Sequence, residues 1–166
     1  MVKLLVAKGH YVGSHSYGHL LYMPWENRDS LLVSQAEFET DLRKSYAQLA
    51  SFGIPYQAAP YFIPPYEYYN RTVADWAKGL GLQIINFTPG TLSNADYTTP
   101  DMDEKYRSSQ VIYDRILTVE AKEGLNGHLL LIHLGTDPRR TDKFYAAPLR
   151  KLIQTLRQRG YTFAPL

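Results

Sequence analysis

His15 and His19 stand four residues apart in the run His15-Ser16-Tyr17-Gly18-His19. Neutral imidazole ligates zinc at about 2.0–2.1 Å, and two rings at this spacing converge on one ion where the chain turns after a strand. A third histidine, His133, closes the apolar run Leu129-Leu130-Leu131-Ile132. At the end of a buried strand a histidine is either a satisfied core side chain or a general acid whose pKa is tuned by a carboxylate. Asp96 is the candidate carboxylate, with Asp101 and Asp103 as rivals. Pro64-Pro65-Tyr66 brings a different group. Two prolines end a strand because neither donates to a ladder, and the Tyr66 N–H that follows can be aimed at an oxyanion. Taken singly, each feature has a structural explanation in packing or strand termination. They gain weight as an ordered set.

The elements that must carry these residues alternate. Met1 to Lys8 reads as the end of an amphipathic helix, with Leu4, Leu5 and Ala7 inward and Gly9 at its C-terminus. Such a helix normally begins earlier, so the expectation is that sequence upstream of Met1 is missing. A strand over 10–14 then delivers the histidine pair. Ser34 and Glu37 have capping-box spacing, and Phe38, Leu42, Tyr46 and Leu49 follow at helical steps, so a helix starts there and ends at Gly53-Ile54-Pro55. Further strands are expected over 61–63, 82–87, 127–134 and 161–164, and further helices over 68–78, 104–123 and 147–159. The stretch 88–103 reads as a long polar loop, a common place for function on an α/β scaffold.

Five strands alternating with helices imply a parallel sheet with helices on its faces. Every candidate residue falls at or just after the C-terminal end of a strand. That is the end at which β/α barrels build their sites. An open doubly wound sheet fits the same alternation.

Composition sets bounds. A chain of 166 residues, 45% of them hydrophobic, can bury one domain core. The net charge of +2 is spread without a basic stripe, which argues against nucleic acid as a partner. There is no cysteine, so any metal must be held by His, Asp or Glu. No apolar run is long enough to span a bilayer, and none has the make-up of a secretory signal. Fourteen tyrosines supply flat apolar faces with a hydroxyl, which suits packing against sugar rings.

The ordered motifs resemble the polysaccharide deacetylases, the NodB-homology group of carbohydrate esterase family 4. Gly9-His10-Tyr11-Val12-Gly13-Ser14-His15-Ser16-Tyr17-Gly18-His19 is similar to that family's zinc-histidine segment. Phe62-Ile63-Pro64-Pro65-Tyr66 is similar to its arginine-x-proline-tyrosine segment, and Leu129 to His133 to its closing L-x-L-x-H motif. Asn94-Ala95-Asp96-Tyr97 is a poorer match to its D-W region. The resemblance implies a distorted (β/α)7-type barrel, here an α/β domain over 1–166 that lacks its first strands and keeps about five. It implies metal-dependent removal of acetyl groups from N- or O-acetylated sugars of a polysaccharide. His15 and His19 would hold a divalent ion, most simply zinc. Tyr66 would offer its N–H to the oxyanion, His133 would protonate the leaving group, and Asp96 would orient His133. Leu131, Tyr97, Pro65 and Trp25 would line the substrate site, and an open groove lined by Tyr22, Trp25, Tyr66, Tyr68 and Tyr97 would favour a polysaccharide over a small substrate. Family members usually act in the periplasm, at the cell surface or outside the cell.

Two departures bear on activity. Nothing here matches the family's opening aspartate pair, which supplies the base and the third metal ligand. Its arginine, which pairs with that base, is replaced by Ile63. The expectation is therefore impaired hydrolysis, with a degenerate carbohydrate-binding barrel, or a fold relative acting on a small amide, as the competing readings. An open barrel edge also predicts self-association through unpaired strand groups.

Overall fold

The computed structural model describes residues 1–164. They form two compact units, one made mainly of Met1–Asn86 and the other of Phe87–Phe163.

The first unit begins with α1 (Val2–Ala7). Its inward residues are Val2 and Val6, which pack on the core, while Leu4 is 61% exposed. The expected inner face of Leu4, Leu5 and Ala7 is thus rotated by roughly half a turn. A six-residue helix is too short for its periodicity to fix which side meets the core. α2 (Gln35–Ser51) starts where the capping box places it. The Ser34 hydroxyl accepts from the Glu37 N–H, and the Glu37 carboxylate accepts from the Ser34 N–H. Phe38, Leu42, Tyr46 and Leu49 form its buried stripe, joined by two polar residues, Asp41 and Ser45. β1 (Tyr61–Phe62) and, after α3 (Arg71–Gly79), β2 (Gln83–Ile84) pair in parallel, Tyr61 opposite Gln83 and Phe62 opposite Ile84. Asn70 caps α3 by accepting from the Val73 N–H. Ser14 joins the other side of β1 as a single bridge to Phe62. Phe62 is fully buried between α2 and α3, in one cluster with Phe38, Leu42, Val73 and Ala77.

The second unit holds 3₁₀ turns over Ser93–Tyr97 and Pro100–Lys105, then α4 (Ser109–Glu123) and α5 (Ala147–Gln158). Ile112, Ile116 and Val119 of α4 share a core with Leu152 and Leu156 of α5 and with Phe144. α4 begins five residues later than the periodicity suggests. Tyr106 and Ser108 are extended, and the Ser108 hydroxyl accepts from the Val111 N–H as the helix cap.

The strand count is the main correction. Among the described residues only β1 and β2 form strands, with Ser14 as an isolated bridge, in place of five. The run 127–134 is as apolar as expected, yet it has no ladder. Its backbone is met instead by Thr88, which exchanges hydrogen bonds with Leu129 through its N–H and its hydroxyl, and by the Asp96 carboxylate. The run 161–164 likewise carries no strand. A strand is defined by a partner backbone on its flank, and hydrophobic patterning does not supply one. The 10–14 run shows the same point in miniature. The Tyr11 hydroxyl reaches Tyr61, accepting from its N–H at 2.9 Å and lying 3.3 Å from its carbonyl, so a side chain meets part of that flank of β1.

Candidate active-site residues

In the first unit the histidine pair sits on a loop that is braced from within and from α2. Ile63 donates its N–H to the Ser14 carbonyl at 3.2 Å, which carries the chain straight into His15. Ser16 and His19 have positive φ, 70° and 51°. The turn is closed by hydroxyls: Ser14 Oγ accepts from the Ser16 N–H at 3.1 Å and Ser16 Oγ from the His19 N–H at 2.9 Å. Asp41, 7% exposed on the inner stripe of α2, accepts from the Tyr17 N–H at 2.9 Å and the Gly18 N–H at 2.7 Å. A Cβ at Gly18 would lie 2.9 Å from Asp41 Oδ1, so this close approach requires glycine. Ser45, one turn further along α2, shares a hydrogen bond with Ser14.

The imidazoles of His15 and His19 are exposed, with centroids 5.0 Å apart. His15 Nδ1 lies 2.8 Å from the Ile63 carbonyl oxygen. A carbonyl only accepts, so Nδ1 carries the proton and, in the neutral ring, Nε2 keeps its lone pair. This is how metal-ligating histidines are usually oriented from behind. Two imidazoles of this kind suit a zinc-like ion. Among the described residues, however, no group of three His, Cys, Asp or Glu side chains is placed to hold one.

Tyr66 stands beside them, its ring centroid 4.5 Å from that of His19. It has φ 59° and ψ 9°, and Glu67 follows at φ 53°. Two consecutive left-handed non-glycine residues carry a backbone cost of about 1–2 kcal/mol each. Glu67 and Tyr68 donate their N–H groups to the Pro64 and Pro65 carbonyls. Among the described residues no acceptor takes the Tyr66 N–H. Trp25 meets the Tyr66 ring at 5.5 Å and the Tyr68 ring at 4.9 Å, and both Trp25 and Tyr66 are about half exposed (56% and 45%). Pro65, expected to line the substrate site, is buried. Tyr22, expected in the same groove, is 1% exposed and belongs to the core against Phe38. Burial pushes its hydroxyl pKa well up, with the Asp41 carboxylate acting in the same direction.

In the second unit Asp96 and His133 are joined twice. Asp96 is fully buried in the 3₁₀ turn over Ser93–Tyr97. Its Oδ2 accepts from the His133 N–H at 2.8 Å, and its Oδ1 lies 2.6 Å from His133 Nδ1. An ionised carboxylate only accepts, so Nδ1 is the protonated nitrogen and acid–base exchange falls to Nε2. Leu130 and Ile132 pack into the core, which places Leu131 and His133 on the alternate side of the extended run. Leu131 is half-buried, and Tyr97, half exposed, meets the His133 ring edge-on at 6.0 Å. The rival carboxylates are engaged elsewhere or strained. Asp101 pairs with Arg139 at 2.6 Å on the surface, and Asp103 sits at φ 46° inside its turn.

Sequence patterning overlooked two buried charges. Asp41 is one. The other is Arg140, 0% exposed, whose Nη1 donates to the carbonyls of Thr98 and Arg107 at 2.7 and 3.0 Å and whose Nη2 donates to Ser109 Oγ at 3.1 Å. It also faces Asp142 at 3.5 Å. Burial pushes the Asp142 carboxyl up, but the Ser109 N–H, the Tyr106 hydroxyl and Arg140 outweigh it and hold it below the usual range. Asp41 carried a signal, being three residues after Phe38 and so on the same helix face. Arg140 carried none, since it lies in a loop of mixed charge.

No curated protein sequence matches the chain. The family described as polysaccharide deacetylase matches residues 1–85, just over half of the 166-residue chain. A carbohydrate esterase family 4 pseudoenzyme from Bacillus anthracis is 23% identical over 97% of this chain and 46% of that chain, with a TM-score of 0.63. A peptidoglycan N-acetylglucosamine deacetylase is 20% identical over 99% of this chain and 65% of that one, with a TM-score of 0.71. The chitin deacetylase of the fungal pathogen Colletotrichum lindemuthianum is 21% identical over 99% and 63%, with a TM-score of 0.66. The chain thus spans about half the length of the pseudoenzyme and under two thirds of the other two. These likenesses imply a (β/α)-barrel fold, and the chain itself is α/β with few strands and an open sheet among its described residues. The matched span 1–85 holds the histidine pair and Pro64-Pro65-Tyr66, and on that footing the chain belongs to the polysaccharide deacetylase family.

Proposed function

We propose that this chain takes part in hydrolytic removal of acetyl groups from N- or O-acetylated sugars of a polysaccharide. The observation that carries the reading is the Asp96–His133 pair, a fully buried carboxylate fixing the protonated Nδ1 of a partly exposed histidine. In that state His133 can deliver a proton from Nε2 to a departing amine or alcohol, while Asp96 stabilises the imidazolium. In the first unit the Tyr66 N–H is a donor for the oxygen that becomes negative as the acetyl carbonyl is attacked. His15 and His19 would hold a divalent ion, zinc by ligand type. Such an ion, when bound, supplies an acidified water and polarises the carbonyl. Trp25 in the first unit and Tyr97 in the second offer faces to the sugar, and Leu131 an apolar wall for the acetyl methyl, whereas Pro65 is buried and presents none.

A second reading is a carbohydrate-binding barrel without catalysis. It is favoured by Ile63 in the arginine position and by the lack, among the described residues, of a third metal ligand. Zinc titration and acetate release from acetylated chitooligosaccharides separate the two. The hydrolytic reading expects binding near one zinc per chain, lost in His15→Ala/His19→Ala, and acetate release that falls about 10²–10⁴-fold in His133→Gln. Glycan binding with neither zinc uptake nor acetate release would establish the binding module instead.

A further inference from the structure

We infer that Asp41 is a positioning residue for the histidine pair, fixing from α2 the loop conformation that sets the His15 tautomer and brings the two rings together. The proposal rests on the reading of His15 and His19 as metal ligands and deepens it. The loop between them contains two left-handed non-glycine residues, Ser16 and His19. Such a conformation persists only where its surroundings over-determine it. The short hydroxyl contacts of Ser14 and Ser16 close the turn locally, whereas Asp41 hydrogen-bonds the middle of it from 23 and 24 residues away in sequence, the one side chain among the described residues to bond the Tyr17 and Gly18 N–H groups. Both carboxylate oxygens are spent on adjacent N–H groups, those of Tyr17 and Gly18. An anion accepting two backbone donors is a stronger brace than neutral hydroxyls, by roughly a factor of two per bond. Asparagine at this position presents one N–H₂ to a backbone N–H, so one of the two contacts becomes donor against donor. The fit is exclusive from the loop side as well, since the Gly18 Cβ position is occupied by Asp41 Oδ1 at 2.9 Å.

The consequence reaches the metal through His15. Its Nδ1–H points at the Ile63 carbonyl only while the turn keeps its shape. If the brace goes, Nδ1 and Nε2 become alternative proton positions, and the ring no longer presents one defined lone pair. Groups that orient ligands from behind typically change metal affinity by about 10–100-fold when removed.

The test uses the full chain with Asp41→Asn and Gly18→Ala, and Leu49→Ala as a control that weakens the same helix away from the loop. Long-range proton–nitrogen correlation of the imidazoles reads the His15 tautomer without metal. Zinc titration reads affinity. The expected result is a single Nδ1–H tautomer for His15 in the parent and in Leu49→Ala, and a mixture in Asp41→Asn and Gly18→Ala. Zinc affinity should fall about 10–100-fold in those two variants and stay unchanged in the control. A parent-like His15 spectrum in Asp41→Asn, or an equal loss of zinc affinity in Leu49→Ala, overturns the proposal. Should Asp41→Asn fail to fold, Gly18→Ala decides alone, because it disturbs the same contact from the exposed side. Absence of zinc uptake by the parent would defeat the metal reading of the histidines, and the metal-free imidazole spectra would still decide the role of Asp41.

Discussion

The two units brace the backbone near their candidate residues with buried charges of opposite sign. In the first, a buried anion gathers backbone N–H groups: Asp41 grips the turn between His15 and His19. In the second, a buried cation gathers backbone carbonyls: Arg140 grips Thr98, two residues past Asp96, and Arg107. The backbone conformation decides which sign is needed. A turn with left-handed residues points successive N–H groups into one concavity, a nest for a negative charge. The extended stretches around Thr98 and Arg107 turn carbonyls inward instead, and these require a donor with several arms. Arginine offers five N–H donors in a rigid fork, and here three contacts use it. The difference teaches that a charge with no part in chemistry can be dictated by the peptide groups it must satisfy.

The comparison can be broken most forcefully in the second unit. Arg140→Met leaves two carbonyls and the Ser109 hydroxyl without their partner and Asp142 without its cation. The expected loss is about 3–5 kcal/mol, read by urea unfolding together with amide exchange across 93–142. Arg140→Lys should recover little of it, because one ammonium cannot span three acceptors. Asp96→Asn should cost about 1.5–3 kcal/mol, the range for a hydrogen bond to a charged group. Ser34→Ala removes the cap of the helix that carries Asp41 and should cost about 1 kcal/mol by thermal melting, with the His15 tautomer unchanged.

Acid sharpens the contrast at the smallest scale. The native Asp142 carboxyl is held below its usual value, so its contribution to stability is present above the unfolded pKa of about 3.9 and is lost as pH falls through the native one. The second unit should therefore lose stability below about pH 4, and Asp142→Asn should flatten that limb of the pH profile. Partial exposure of Asp142 keeps the effect under about 1 kcal/mol.

Much of the helical framework was legible in the sequence. The Ser34–Glu37 capping box and the Phe38–Leu42–Tyr46–Leu49 stripe fixed α2 because capping and burial are local, period-bound signals. The strands were not legible in extent. The run Leu129-Leu130-Leu131-Ile132 is continuously apolar, so patterning neither sorts Leu130 and Ile132, which pack in the core, from Leu131 nor names the neighbour on which pairing depends. At the site, residue types and order pointed to the histidines, to Pro64-Pro65-Tyr66 and to Asp96. The braces behind them were hidden for a simple reason. Asp41 reads as one of many acids on a helix, and Arg140 as one of two adjacent arginines. Only the three-dimensional direction of backbone N–H and C=O groups distinguishes them from solvated charges.

The hydrogen bond from His15 to residue 63 ends on a main-chain oxygen. Every amino acid carries that oxygen, so position 63 serves the histidine without committing its side chain. Ile63 is thus open to variation: a substitution library there should alter the shape and charge beside the histidine pair while leaving the imidazole's proton on the same nitrogen. A site whose orienting contact is written in the backbone can change its chemistry one residue at a time without first losing its geometry.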